Sequence, residues 1–291
     1  MPEQREARGA VGVIHDIGYQ RYDGPRLSRG YVARSMYVHG LRTAFGFGRS
    51  ARTKILPVGL FSVVCVVAVV LVVISTRLPQ PVLSYIGMAT TFATVSALFV
   101  AIVGPELVSR DLRNNLLPLY FSRPVTRTDY ALSKLAALAT AVFGMFAVPM
   151  LIMFLGLALS APHGISGVFD EAGKFLVGLL AAALGAVLFT AIAVPLAALT
   201  GRRVFATGMI IALFLLTAPI TPVLASIGSQ SLAQLAGLFN PVSLLSGVYM
   251  WLFGDGGLDV GPYGPVYGLV FLAVAAAGIG LSILRFRKVR A

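Results

Sequence analysis

Six stretches of this chain contain no Asp, Glu, Lys, Arg or His and stay apolar over 19 to 27 residues. The hydrocarbon core of a bilayer is about 30 Å thick, and a helix needs about 20 apolar residues to cross it. The run 63–71 is continuously apolar and does not alternate as the strands of a membrane β-barrel do. We therefore predict an all-α polytopic membrane protein whose six transmembrane helices lie at about 55–76, 82–103, 135–161, 175–201, 204–227 and 266–284.

The basic residues lie between these runs and are unequally divided between alternate loops. Of the 23 Lys and Arg residues, only Arg77 and Lys174 lie on one side of the predicted membrane. The other 21 lie in four segments, 1–54, 104–134, 202–203 and 285–291. Cytoplasmic loops carry the excess of Lys and Arg, so both termini are predicted to be cytoplasmic. The basic residues lie in the loops between apolar runs, as in a membrane protein. The net positive charge therefore does not indicate a nucleic-acid partner.

This division gives three regions: a cytoplasmic N-terminal arm at 1–54, a six-span domain at 55–284 and a basic cytoplasmic tail at 285–291. Within the arm, residues 30–48 are predicted to form an interfacial helix. Tyr37, Leu41 and Ala44 fall on one face at helical spacing, as in helices that lie on a membrane surface. A solvated basic tail is the alternative.

The loop before the last span is itself apolar over 232–253, but Asn240-Pro241 interrupts it. Proline removes a backbone donor and disfavours a helical residue before it. The two pieces are each too short to cross a bilayer, so we predict paired re-entrant half-helices before span six. A single seventh span is the alternative, and the charge distribution disfavours it because the basic tail would then lie outside.

The sequence contains no recognisable catalytic constellation. It lacks His-Glu-x-x-His, Gly-x-Ser-x-Gly and the phosphate-binding loop pattern, and Cys65 is its only cysteine. We therefore predict no catalytic, cofactor-binding or metal-binding residue. Ion-coupled carriers usually need ionisable groups at membrane depth, and the six runs have none. An ion-coupled carrier remains an alternative, but the pattern favours energy supplied from the aqueous side by a partner protein.

The segment 104–134 is where such a partner is predicted to act. Glu106 and Arg110 have the i,i+4 spacing and order that support a helix. Pro118 is predicted to end that helix, and Thr126-x-x-Asp129 has the spacing of a capping box. We predict a short amphipathic cytoplasmic helix between spans two and three, with an ordinary solvated loop as the alternative.

The same segment resembles the signature of the ABC type-2 exporter permease family. In that family a Glu is typically followed by Gly-Thr-Leu, Leu-Leu, Ser-x-Pro-x-Ser-Arg and Gly-Lys. Here Glu106 is followed by Leu116-Leu117, by Ser122-Arg123-Pro124-Val125-Thr126-Arg127 and by Lys134. The chain departs from the pattern with Asn114-Asn115-Leu116 at the turn, Thr126 for Ser, and Ser133 before Lys134. The resemblance extends to the six spans and the basic arm.

The resemblance implies a permease subunit of an ATP-driven exporter in the plasma membrane of a prokaryote. Two permease subunits would pair, as a homodimer or heterodimer, and each would rest on a separate ATP-binding ABC subunit that binds the ATP. The residues expected to dock on that subunit are Glu106, Arg110, Asp111, Arg113 and Asn114. Arg123 and Arg127 are expected to fix the loop or to contact lipid phosphates. A non-transport membrane component of an ABC-like assembly or signalling complex is the alternative.

Small residues recur every four positions in two of the runs. Gly178, Ala182 and Ala186 do so in the fourth, and Ala276 and Gly280 in the sixth. Small residues let membrane helices approach closely, so both stripes are predicted to be helix-packing faces.

Overall fold

A computed structural model describes residues 24, 28–48, 51–78, 82–114, 120, 125–160 and 165–288. In this part of the chain the secondary structure is helical throughout, with no strand. The helices are α1 (Arg29–Ala44), α2 (Ala51–Ser75), α3 (Tyr85–Arg113), α4 (Arg127–Leu159), α5 (Ile165–Leu199), α6 (Arg203–Thr217), α7 (Ile220–Ile227), α8 (Gln230–Leu235), α9 (Pro241–Phe253) and α10 (Gly264–Lys288). Two short 3₁₀ helices, Ala236–Phe239 and Gly261–Tyr263, follow α8 and precede α10.

Six helices among the described residues are long and apolar enough to cross a membrane, which confirms the predicted all-helical, six-span class. They are Thr53–Ser75, Tyr85–Arg113, Arg127–Leu159, Ile165–Leu199, Arg203–Ile227 and Gly261–Lys288. Several extend beyond the predicted spans, most clearly the end of α3, the start of α4 and the start of α5. The predicted limits were set by charge, whereas a helix ends where its terminal backbone groups find caps.

Side-chain caps explain three of the helix starts. Ser84 accepts a hydrogen bond from the backbone of Gly87 at the start of α3. Thr126 and Asp129 form the predicted capping box at the start of α4, each accepting from the other's backbone N–H. Asn240 accepts from two backbone N–H groups at the start of α9, where Pro241 occupies the first helical position.

Helix α5 lies at the centre of the bundle and contacts α3, α4, α6, α9 and α10. The predicted small-residue face of α5 is buried, and a Cβ on Gly178 would lie only 2.7 Å from Cβ of Tyr85 on α3. The corresponding prediction for the sixth span is wrong, because Ala276 is exposed. There Gly278 makes the close contact, since a Cβ on it would collide with the backbone carbonyl of Ala191.

Helix α2 lies at the edge of the bundle and contacts α3 and α4. A row of valines along it is exposed, including Val63, Val66 and Val73. A surface of this kind suits hydrocarbon and not water. The exposed face of α2 is therefore suited to contact with lipid or with another membrane helix.

Helix α1 runs alongside the first turns of α4 and in the same direction. Arg29 contacts Asp129, Ser133 donates to the backbone carbonyl of Ala33, and Tyr37 donates to Thr140. The buried face of α1 consists of Met36, Gly40, Thr43 and Ala44, so of the predicted stripe only Ala44 is buried. The difference arises because close packing against α4 selects small residues, whereas the prediction counted apolar ones.

The segment between α7 and α10 folds back on itself. The helix direction changes by 118° between Gln230–Phe239 and Pro241–Phe253. At the bend, the Asn240 amide donates to the backbone carbonyl of Phe214 and to Thr217, both near the end of α6. Beyond α9, Asp255 accepts from Ser84 at the start of α3. Helix α9 thus extends from the contact between Asn240 and α6 to the start of α3.

The basic segments of the chain meet at one end of the bundle. Contacts there join α1 to α4, α3 to α4 and α6, and α10 to α4 and α5. We call this the basic end. The start of α4 and the ends of α3 and α10 all belong to it, so the chain enters and leaves the bundle on the same side.

Cysteine labelling tests whether the basic end faces the cytoplasm. In a Cys65→Ala background, Asp170→Cys and Gln230→Cys should react with a membrane-impermeant thiol reagent on intact cells. Ser28→Cys and Asn114→Cys should react only after permeabilisation, because they lie at the basic end. All four positions are exposed, so accessibility within the fold is matched. Labelling of the Asn114→Cys variant from outside would contradict the orientation.

Candidate functional site

The residues predicted to contact an ATP-binding partner lie in the last two turns of α3. The sequence predicted a separate short helix, but Glu106 to Arg113 continue the second span without a break. Pro105 is buried inside the same helix, and Asn114 is its C-cap, with a backbone N–H that donates to the Arg110 carbonyl. The remainder of the predicted short helix, with Pro118, and the predicted loop residue Arg123 lie outside the described residues.

Asp111 is the centre of a buried contact between α3 and α4. Its carboxylate lies 2.7 Å from Nζ of Lys134 and accepts a hydrogen bond of 2.8 Å from the hydroxyl of Tyr130. All three side chains are buried. Removing one partner of a buried ion pair leaves an uncompensated charge, which is strongly destabilising. Asp111 therefore joins two helices and does not lie on the exposed face predicted for docking.

The aromatic ring of Tyr130 extends this contact to α10. Phe286 packs edge-on against it at a centroid distance of 5.0 Å, and Tyr120 lies 5.7 Å away. Nζ of Lys134 also lies over the ring, 5.4 Å from its centroid. The aromatic rings thus pack against one side of the ion pair, while Asp111 and Lys134 also line a cavity at this end.

Glu106 forms its shortest described ion pair with a residue that sequence spacing does not indicate. Its Oε2 atom lies 2.7 Å from Nη1 of Arg203, the first residue of α6, whereas Oε1 lies 3.9 Å from Nη1 of Arg110. The predicted i,i+4 contact is present but long. Glu106 is consequently mostly buried and connects the ends of α3 and α6.

Arg110, Arg113 and Asn114 are the predicted docking residues that remain accessible. Arg110 is half exposed, and the other two are exposed at the end of α3. A cation in the last helical turn is favourable because the helix C-terminus carries partial negative charge. These three side chains are the part of the predicted set that a partner can reach directly.

Arginine side chains also hold the ends of α5 and α10. Arg285 donates to the carbonyl of Ala198 at 3.1 Å, next to the last residue of α5. Arg127 is half-buried and donates to the carbonyl of Arg287 near the end of α10. Helix C-termini have unsatisfied carbonyls, and cationic side chains satisfy them favourably. Arg127 is therefore in contact with another helix end.

The start of α1 is attached to α4 through Arg29. Both carboxylate oxygens of Asp129 lie 2.7 Å from its guanidinium nitrogens, in a bidentate pair. The hydrogen bond to Asp129 raises the pKa of the Arg29 guanidinium above its usual value. Arg29 is largely exposed, and solvent screens exposed ion pairs so that they stabilise a fold little. This contact positions α1 more than it stabilises the fold.

The opposite end of the bundle is less basic. There Glu171 accepts hydrogen bonds from the Tyr85 hydroxyl at 2.8 Å and from Lys174 at 3.2 Å. Across the described residues, no group of three or more His, Cys, Asp or Glu side chains could hold a metal ion. The dense ionic contacts at the basic end make that end the candidate functional site.

Comparison with known proteins gives no match, either to a protein-family model or to a curated protein sequence. The assignment of a function to the basic end therefore depends on its own residues and geometry.

Two of the strongest contacts at this end, Asp111–Lys134 and Glu106–Arg203, join residues far apart in the sequence. A weak signal existed for the first. Lys134 directly precedes an apolar run. A charged side chain beside such a run can be buried only if a group of opposite charge pairs with it. Nothing in the sequence indicated which carboxylate would supply it.

Removal of the Tyr130 hydroxyl tests the buried contact. Tyr130→Phe takes a donor from a buried carboxylate, and hydrogen bonds to charged groups contribute about 1.5–3 kcal/mol. Tyr37→Phe is the matched control, since its hydroxyl donates to the neutral Thr140 at the half-exposed α1–α4 contact and should cost about 0.5–1.5 kcal/mol. Free energies of unfolding in mixed micelles measure both. Equal losses of unfolding free energy in the two variants would show that the hydrogen bond to Asp111 contributes no more than the hydrogen bond to Thr140.

Proposed function

We propose that this chain is the membrane-spanning permease subunit of an ATP-driven ABC exporter. The observation that supports it best is the separation of charge in the fold. The six apolar runs have no Asp, Glu, Lys, Arg or His, while the ends of α1, α3, α4, α6 and α10 are joined by ion pairs and hydrogen bonds at one end. Energy supplied at that end reaches several spans at once.

In this proposal the basic end faces the cytoplasm and rests on a separate ATP-binding subunit. Arg113 and Asn114 are the first candidates for contact with it, because they are exposed at the tip of α3. Arg110 contributes beside them, and Glu106 and Asp111 act indirectly by fixing α3 to α6 and α4. Two copies of this chain, or this chain and a relative, would form the translocation path between them.

The continuity of α3 supports a direct mechanical role for its tip. The helix has 29 residues and is about 43 Å long at 1.5 Å per residue. A push on Arg113 is therefore transmitted to Ser84 and Tyr85 at the opposite end, where the contacts with Asp255 and Glu171 lie. In this proposal the element that couples the ATP-binding subunit to the spans consists of the end of α3 and the loop that follows it.

We further propose that Gln230–Phe239 and Pro241–Phe253 are the two arms of a re-entrant segment. The 118° angle between them and the contact of Asn240 with the end of α6 support this arrangement over a straight seventh span. The Asn240 side chain uses its oxygen for the α9 cap and its nitrogen for the Phe214 carbonyl. In a lipid environment such pairing of backbone groups is needed wherever a helix is interrupted.

Purification with its partner is the primary test of the exporter proposal. The chain extracted in mild detergent from its own host should bring with it, in equal amount, a subunit that has a phosphate-binding loop and hydrolyses ATP. The chain purified alone should show no ATP hydrolysis above background, because it lacks that loop. Transport by the chain alone in vesicles, driven by a proton or sodium gradient, would contradict the proposal and favour a carrier.

Charge reversal at the tip of α3 tests the docking residues. Arg113→Glu should leave folding nearly unchanged, since exposed substitutions usually stay within about ±0.5 kcal/mol. Opposed like charges at an interface cost several kcal/mol. The ATP-binding subunit should therefore bind at least about tenfold more weakly, since a loss of about 1.4 kcal/mol weakens binding tenfold.

The matched control is Arg34→Glu, another exposed arginine on a helix at the same end. It changes the net charge equally but lies on α1, away from the tip of α3. Unaltered partner binding by the Arg113→Glu variant, or equal loss in both variants, would remove the tip of α3 from the docking site.

A further inference from the structure

A cavity of about 800 Å³ lies at the basic end, between the end of α1 and the last two turns of α3. Its lining includes His39, Arg42 and Phe47 from the α1 side and Glu106, Arg110 and Asp111 from α3. The volume falls within the range of ordinary small-ligand sites. Neither the docking residues at the tip of α3 nor the buried ion pair requires a cavity of this size.

The charges around the cavity are not balanced. Its two carboxylates are each paired at 2.7 Å, Asp111 with Lys134 and Glu106 with Arg203. Arg110 lies 3.9 Å from its nearest carboxylate oxygen. Arg42 forms no ion pair with any residue in the described part of the chain. Two guanidinium groups therefore face the cavity with donors that its carboxylates do not satisfy.

The cavity lies beside the point where the exposed apolar face of α2 begins. Phe47 lines it and is 62% exposed, and α2 starts four residues further along the chain. Ile55 and Leu56, in the second turn of α2, are also exposed. Cationic groups at the edge of an apolar surface match the headgroup layer of a membrane.

We propose that this cavity binds the phosphate of an anionic lipid headgroup. Arg42 and Arg110 donate to the phosphate oxygens, as the planar guanidinium group does well. Phe47 and the first lipid-facing turns of α2 contact the acyl chains. A soluble phosphate compound would gain nothing from this apolar margin, which is why the lipid is favoured. The inference goes beyond the exporter proposal and does not depend on it.

Native mass spectrometry of the purified chain tests the site with three probes: phosphatidylglycerol, phosphatidylcholine with the same acyl chains, and inorganic phosphate. Phosphatidylglycerol should bind in preference to phosphatidylcholine. Each basic residue near a membrane surface contributes about fivefold in affinity for anionic lipid, so Arg42→Ala should weaken phosphatidylglycerol binding about fivefold and the Arg42→Ala/Arg110→Ala variant about 25-fold. Phosphatidylcholine also has a phosphate, but its choline cation opposes binding beside two arginines, so both variants should weaken its binding less than they weaken phosphatidylglycerol binding.

Arg202→Ala is the control, because it removes an exposed arginine at the same end that does not line this cavity. It should bind phosphatidylglycerol as the unaltered chain does. The Arg42→Lys/Arg110→Lys variant keeps both charges but loses the planar pairs of donors, so it should bind phosphatidylglycerol more tightly than the Arg42→Ala/Arg110→Ala variant and less tightly than the unaltered chain. It separates loss of binding from loss of folding, which the unfolding temperature of each variant also reports.

Four results would overturn the proposal. The first is equal binding of the two lipids by the unaltered chain. The second is equal weakening by Arg202→Ala and Arg42→Ala. The third is displacement of phosphatidylglycerol by an equal concentration of inorganic phosphate, which would make the cavity a site for soluble anions. If Arg42→Ala instead releases the ATP-binding subunit while lipid binding is unchanged, the cavity contacts a protein, and the lipid assignment is wrong.

Discussion

The exclusion of charge from hydrocarbon is the constraint on which the rest of this structure depends. A charged residue at the centre of a spanning helix costs about 2.5–3.5 kcal/mol on insertion scales, and the six apolar runs carry none. Ionic contacts are therefore confined to the ends of the helices. Among the residues that the structure describes, most basic side chains lie at one end, and three carboxylates there each join two helices: Asp111 joins α3 to α4, Glu106 joins α3 to α6, and Asp129 joins α4 to α1.

The same constraint explains how far the sequence could predict the fold. The absence of charge located all six spans, and local spacing located the Thr126–Asp129 capping box. Helix ends in water were harder to place, because α3 continues past its apolar run to Arg113. The pairs Asp111–Lys134 and Glu106–Arg203 depend on which helix ends become neighbours, and one sequence does not contain that information. For the same reason the small-residue rule held for Gly178 but not for Ala276.

The structure also changes how the basic end would work. The sequence predicted a separate amphipathic helix with an exposed charged face, whereas Glu106 and Asp111 are turned towards neighbouring helices, and only the tip of α3 remains accessible. A partner would then act on a continuous span that is fixed to α4 and α6 near its tip. The cavity beside Arg42 and Arg110 lies at the same helix end, and a lipid bound there would contact it too. A bound lipid and a bound partner would thus both act on the position of the end of α3.

The account's central claim is that the buried Asp111–Lys134 pair fixes α3 to α4, and a double-mutant cycle tests it most directly. The free energy of unfolding in mixed micelles is measured for Lys134→Met, Asp111→Asn and the double variant. Lys134→Met alone should cost about 3–5 kcal/mol because it leaves a buried charge unpaired, while the double variant should recover much of that loss. The coupling energy should then exceed about 1 kcal/mol, within the range measured for residues in contact. Single losses that add to the double loss within about 0.5 kcal/mol would contradict the account.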